Sequence, residues 1–133
     1  MALTWPGAGA MMPAHSIARY PVKYVRELLK GNTDSLLLTL ISEKPMYGYQ
    51  IIKELEKRSQ GYFQLREGTL YPALHRLERQ GYLSSRWERL PGGQERRYYQ
   101  LTEKGSRNLA RMTQEWQGFA TAVNLVLRPS PAS

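Results

Sequence analysis

Apolar residues recur along this chain in changing rhythms, and each rhythm predicts an element. From Asn32 to Ser42, Leu36, Leu37, Leu38, Leu40 and Ile41 cover most of a helix circumference. Asn32, Thr33, Asp34 and Ser35 stand before them as cap candidates, so a buried helix is expected. Glu43-Lys44-Pro45 interrupts it, because Pro45 lacks an amide donor and restricts the residue before it. Tyr47 to Arg58 then reads as an amphipathic helix with Ile51, Ile52 and Leu55 inward and Lys53, Glu54, Glu56, Lys57 and Arg58 outward. Its start fits poorly, since Gly48 at an interior helix position costs roughly 1 kcal/mol relative to Ala. Either this glycine permits close packing or approach of a phosphate, with the hydroxyls of Tyr47 and Tyr49 as donors, or both tyrosines are half-buried packing residues.

Ser59 to Glu67 is a connecting loop, after which Leu70, Leu74 and Leu77 take the i, i+4, i+7 spacing of one helical face. Pro72, His75, Arg76 and Arg79 fall on the opposite side, giving a helix from Thr69 to Gln80 with a dry back and a basic front. Thr69 is the expected N-cap and Gly81 the expected stop. Tyr82 to Arg89 then alternates as a strand, Leu90-Pro91-Gly92-Gly93-Gln94 is a turn cluster, and Glu95 to Leu101 returns as a second strand. Leu83, Trp87, Tyr99 and Leu101 are assigned to the inner face. Thr102 caps a long helix running to about Leu127, on which Leu109, Met112, Trp116, Phe119, Val123 and Val126 are spaced 3, 4, 3, 4, 3. That is a heptad seam, which either packs on a partner helix from a second copy of the chain or lies back on its own domain.

Before Asn32, Val22, Val25, Leu28 and Leu29 suggest a short leading helix ending at Gly31. It would pack on the domain or a partner, or add phosphate contacts. The expected organisation is a flexible tail at 1–21, a domain at 22–101, a dimerisation helix at 102–127 and a disordered tail at 128–133. The 133 residues suit one domain, and a hydrophobic share of 41% is that of a packed globular chain.

A formal charge of +8 favours a polyanionic partner, but the stretch from Asn32 to Thr102 holds eleven basic residues against eight acids. Binding there must depend on where the cations stand rather than on their number. The absence of cysteine excludes disulfides, thiolate metal sites and cysteine nucleophiles, and is compatible with a cytoplasmic protein. No apolar run reaches the roughly eighteen residues of a membrane span, so no membrane association is expected. His15 and His75 are the only histidines, and no nucleophile–base grouping or metal-ligand spacing surrounds them. No enzymatic activity, metal or cofactor is expected.

A short helix with a basic front fits a DNA major groove, and the basic hairpin after it can hold flanking phosphates or enter the minor groove. The long connection between the two helices points to a winged variant of the helix-turn-helix. The expected fold is mainly α with a β-hairpin wing (α+β): a winged helix-turn-helix with a long C-terminal dimerisation helix. Its expected partner is double-stranded DNA, bound through Tyr47, Tyr49, Lys53, Thr69, Tyr71, Pro72, His75, Arg76, Arg79, Gly92, Gly93, Arg96 and Arg97. A structural wing tip remains the alternative for Gly92 and Gly93. A winged-helix protein-interaction module without specific DNA binding is the alternative for the whole, since fold does not fix function.

The chain resembles PadR-like transcriptional regulators. The resemblance rests on Met46-Tyr47-Gly48-Tyr49-Gln50-Ile51, on Gly68-Thr69-Leu70-Tyr71-Pro72-Ala73-Leu74-His75-Arg76-Leu77-Glu78 with Gly81, and on Arg97-Tyr98-Tyr99-Gln100-Leu101-Thr102 with Gly105. It implies a homodimeric winged-helix repressor on a palindromic operator, of the smaller subfamily with a single C-terminal helix. Some members hold flat aromatic compounds between the subunits against a tryptophan, and Trp116 in Gln114-Glu115-Trp116 looks like that residue. The resemblance thus makes a small aromatic effector a further partner, although the acidic residue found four positions later in such proteins is Ala120 here. Trp116 is equally readable as interface packing.

Overall fold

The structure, a computed structural model, describes Leu29 and residues 31–129. The expected leading helix up to Leu28, the tail at 1–21 and residues 130–133 of the expected tail at 128–133 lie outside the described residues; Leu29 itself is buried in the core.

Helix α1 (Thr33–Glu43) is central, with Leu37, Leu38, Leu40 and Ile41 all buried, as its continuous apolar surface requires. Asn32 takes the N-cap position and Asp34 lies in the first turn, where a carboxylate is favoured by the helix dipole. Beyond Pro45 the chain differs from the sequence expectation. Met46–Tyr47 is a short strand, β1, and helix α2 (Gly48–Arg58) begins one residue later than expected. Met46 pairs with Tyr99 and Tyr47 with Tyr98, so the sheet takes up backbone groups that a helix would otherwise use. Gly48 is therefore the first helical residue, and the interior penalty does not apply to it.

A connection over residues 59–66 leads to helix α3 (Glu67–Arg79), whose Leu70, Ala73, Leu74 and Leu77 are buried against the other helices. Its beginning corrects a second expectation. Arg66 is the N-cap and Thr69 lies in the first turn, its amide donating to the Arg66 carbonyl (3.0 Å) rather than its hydroxyl capping the helix. Glu67 supplies the favourable first-turn charge instead. At the other end Gly81 adopts φ +83°, and the Gly81 and Tyr82 amides donate to Glu78 (2.9 Å) and Leu77 (3.0 Å), a left-handed stop that glycine reaches without a Cβ penalty.

Strands β2 (Leu83–Arg89) and β3 (Glu95–Leu101) form the hairpin, closed by bonds from the Leu90 amide to the Gln94 carbonyl (2.7 Å) and from the Gly93 amide to the Leu90 carbonyl (2.9 Å). The antiparallel order is β1-β3-β2. Leu83 and Tyr99 are buried and Leu101 is partly so, but Trp87 is 62% exposed and does not belong to the inner face. The pairing with β1 stops at Tyr98, so the hairpin beyond it, Trp87 included, stands clear of the core.

Helix α4 (Glu103–Leu127) follows Thr102, whose hydroxyl accepts the Gly105 amide at 2.9 Å. The Thr102 hydroxyl also donates to the Gly81 carbonyl (2.6 Å), and Lys104 donates to the Gln80 carbonyl (2.8 Å), so the start of α4 is fastened to the end of α3. Leu109 and Met112 pack against the core. Farther on, α4 leaves the domain.

Candidate nucleic-acid interface

Burial of the leucine face of α3 leaves Thr69, Tyr71, Pro72, His75 and Arg79 exposed. Tyr71, His75 and Arg79 are four residues apart and form one stripe. A cleft of about 360 Å³ separates this stripe from the hairpin, lined by Tyr71 and His75 of α3, by Trp87, Glu95, Arg96, Arg97 and Tyr99 of the hairpin, and by Tyr47 and Gly48. A Cβ on Gly48 would fall within 2.9 Å of the Tyr71 ring and closer still to its hydroxyl. Of the two readings of Gly48, the structure supports close packing: the missing side chain is the space in which Tyr71 rests.

Tyr47 is half-buried, edge-to-face with Tyr98 (5.4 Å, 70°) and under the Arg96 guanidinium at 4.2 Å. Tyr49 is 57% exposed with Lys53 5.5 Å above its ring, so the two tyrosines differ in environment. Gly92 and Gly93 are exposed at the hairpin tip beside Arg89.

Two arginines of the expected basic front are engaged inside the fold. Arg76 presents both terminal nitrogens to the Asp34 carboxylate of α1 at 2.8 and 2.7 Å, hydrogen bonds that raise its pKa further. Arg97 donates to Glu78 (2.7 Å) and to the Ser85 hydroxyl (3.0 Å). These residues sit on the expected helix and hairpin, but in this conformation their charge is directed at carboxylates of the same molecule. Lys53, Arg66, Arg79, Arg89 and Arg96 have no carboxylate partner among the described residues. The outward cationic surface therefore surrounds the α3 stripe on α2, at the α3 N-terminus and along the hairpin.

Sequence reasoning missed Asp34, Glu78 and Ser85 as partners and Trp87 as a wall of the cleft. The Arg76–Asp34 and Arg97–Glu78 pairs span 42 and 19 residues, separations for which no helical or strand periodicity gives a signal.

On α4, Trp116 is 48% exposed, Phe119 61% and Val126 83%, with the Trp116 and Phe119 rings 5.8 Å apart; Val123 is half-buried. The seam thus divides. Leu109 and Met112 serve the domain core, and the remainder of the helix presents apolar side chains outward. Among the described residues no helix is long and apolar enough to cross a membrane, and no cluster of three metal-ligating side chains occurs.

A helix pair ending in an exposed basic stripe, a hairpin beside it and a long terminal helix define a winged helix-turn-helix protein. Residues 37–111 match the transcriptional regulator PadR-like family. The chain is 33% identical over 101 residues to an uncharacterised protein X of Lysinibacillus sphaericus, which covers 76% of this chain and 93% of that one. Among solved structures it is similar to a PadR-like transcriptional regulator from Bacillus cereus, with TM-score 0.70 and 31% identity over 78% of this chain and 99% of that one. A PadR family regulator from Eggerthella lenta gives TM-score 0.70 and 32% identity over 81% and 92% of the two chains. The chain belongs to the PadR-like family of DNA-binding transcriptional regulators.

Proposed function

We propose that this regulator is a cytoplasmic homodimeric repressor that inserts α3 of each subunit into successive major grooves of a palindromic operator, with the hairpin wing on the flanking backbone. The observation that carries this reading is the exposed stripe of Tyr71, His75 and Arg79 beside the wing, on a helix whose opposite face is wholly buried. When a helix occupies the major groove and a wing reaches the minor groove, the strand between the grooves crosses the cleft between them. Arg96 on the hairpin wall places a hydrogen-bond donor along that path, while Tyr71 and His75 on the α3 wall are turned to the base edges of the occupied groove. Tyr49, Lys53, Thr69, Pro72, Gly92 and Gly93 extend the surface.

The outward apolar face of α4 supports pairing of two subunits through Trp116, Phe119, Val123 and Val126. Trp116, beside Phe119 on that face with the two rings tilted by 37°, is also the residue for a planar aromatic effector held between the subunits. Ala120 stands where the resemblance would place an acidic residue, which argues against a cationic compound.

Selecting bound duplexes from a random-sequence library, then titrating the best across a salt series, tests the reading. The selected sites are expected to be two-fold symmetric, with log affinity falling linearly against log salt at a slope of about −0.9 per phosphate contacted. Recovery of no preferred sequence, or binding without a salt slope, contradicts it. Quenching of tryptophan fluorescence by planar aromatic compounds, abolished by Trp116→Phe, tests the effector.

A further inference from the structure

The wing is paired to the body of the domain only at its base. Strand β1 covers β3 at Tyr98 and Tyr99, and Arg97 is the next residue outward. From Trp87 to Arg97 the hairpin has two strands and no third, an arrangement that is marginal by itself. At that point of departure three side chains from three elements close a ring. Glu78 of α3 accepts the Ser85 hydroxyl of β2 at 2.6 Å through one oxygen and Arg97 of β3 at 2.7 Å through the other. Arg97 closes the ring by donating to the Ser85 hydroxyl at 3.0 Å. The Arg97 guanidinium also lies 5.4 Å from the Tyr99 ring and 5.8 Å from the Trp87 ring. Both pair members are about two-thirds buried, with side-chain exposures of 33% for Arg97 and 28% for Glu78.

We propose that Glu78, Ser85 and Arg97 form a clamp that fixes the angle between wing and recognition helix, so that Arg97 is a positioning residue for DNA binding rather than a phosphate contact. The proposal rests on the winged-helix reading of DNA binding given above. A carboxylate on the recognition helix would repel phosphate if it were free; within the clamp its charge is matched by Arg97 and turned toward the wing. The clamp thus accounts both for an acid on the DNA-facing helix and for an arginine that lines the cleft yet gives its guanidinium to Glu78 and Ser85.

The absence of cysteine from the chain allows a test that needs no DNA. Spin labels at Gln64→Cys, in the loop before α3, and Gln94→Cys, at the wing tip, report the position of the wing relative to the body. The native clamp is expected to give one narrow distance distribution, and Glu78→Gln and Ser85→Ala a broadened or shifted one. An unchanged distribution in both overturns the clamp whether or not the protein binds DNA, whereas failure of the native chain to select any duplex overturns only the DNA reading.

On a selected duplex, Glu78→Gln is expected to weaken binding about tenfold, the scale of one hydrogen bond to a charged group. Protection of the wing-contacted backbone from hydroxyl radicals should be lost while major-groove protection persists. If Arg97 were instead a phosphate contact restrained by Glu78, Glu78→Gln would tighten binding. The exchanged pair Glu78→Arg with Arg97→Glu tests the clamp further. Ser85 can donate and accept in either arrangement, so the clamp predicts that the exchange restores the narrow spin-label distance distribution lost in Arg97→Glu alone, and an unrestored distribution contradicts it. Melting curves on each variant ensure that folded proteins are compared; Glu78→Gln and Ser85→Ala are mild enough to carry the test alone.

Discussion

At Gly48 the first turn of α2 lies against the Tyr71 ring, and the space left by the missing side chain sets where one wall of the cleft stands. Gly48→Ala should leave stability within about 1 kcal/mol, because Tyr71 is 37% exposed and can swing outward, while lowering DNA affinity. If the two effects share a cause, Gly48→Ala combined with Tyr71→Ala should bind no more weakly than Tyr71→Ala alone; additive losses in that cycle would show Gly48 acting by another route. A second residue-scale effect concerns acid stability. The Arg58 hydrogen bond holds the Glu43 carboxyl below its ordinary 4.5, so the pair contributes stability above that pH and loses it as pH falls through the folded value. Glu43→Gln should therefore lower the urea midpoint at pH 7 and converge on the native curve in the acid limb. A difference independent of pH would exclude the ion pair as its source. The sequence marked Gly48 as anomalous without saying why, since its neighbour Tyr71 is 23 positions away and only the folded helix pair brings them together.

Among the elements, α3 is held on three sides: to α1 by Asp34–Arg76, to the wing by Glu78, and to α4 by Thr102 and Lys104. The bidentate Asp34–Arg76 pair is partly exposed, so Asp34→Ala or Arg76→Ala should each cost about 1 kcal/mol in chemical unfolding, with the double substitution well short of the sum. Arg76→Ala should also leave the base preferences of a selected-site experiment unchanged; a relaxed preference at one base pair would return Arg76 to direct reading. Much of this level was legible. Leucine spacing located α1 and α3, the Pro91-Gly92-Gly93 cluster located the hairpin turn, and Thr102 capped α4, because each is a local signal carried by adjacent turns or strands. Strand β1 was not legible, since two residues have no periodicity and their pairing comes from β3, some fifty positions on. Trp87 was misplaced for a related reason: alternation assigns a face of the strand, and only the length of the covering layer decides whether that face is buried.

For the whole molecule, the formal charge of +8 is a poor guide to the DNA surface, because Arg58, Arg76, Arg86 and Arg97 are spent on carboxylates within the chain. What remains is a modest set of outward cations, and pairing two copies would double it. The 25-residue α4, roughly 37 Å long at 1.5 Å per residue, carries its apolar face well past the domain. Phe119→Glu or Val123→Glu should yield a monomer in sedimentation and weaken DNA binding in parallel; a mutant that stays dimeric would reject the seam. The heptad was plain from spacing alone, but the assignment of Leu109 and Met112 to the domain core was not, because both uses require the same residue types.

Reading of base edges by the stripe of Tyr71, His75 and Arg79 on α3 is what the proposed operator complex requires. Its most direct measurement is the affinity of His75→Ala for the selected duplex and for its single base-pair variants. A loss of about 1–3 kcal/mol is expected, with discrimination relaxed at one symmetric pair of positions. Native affinity across all of these duplexes would contradict it.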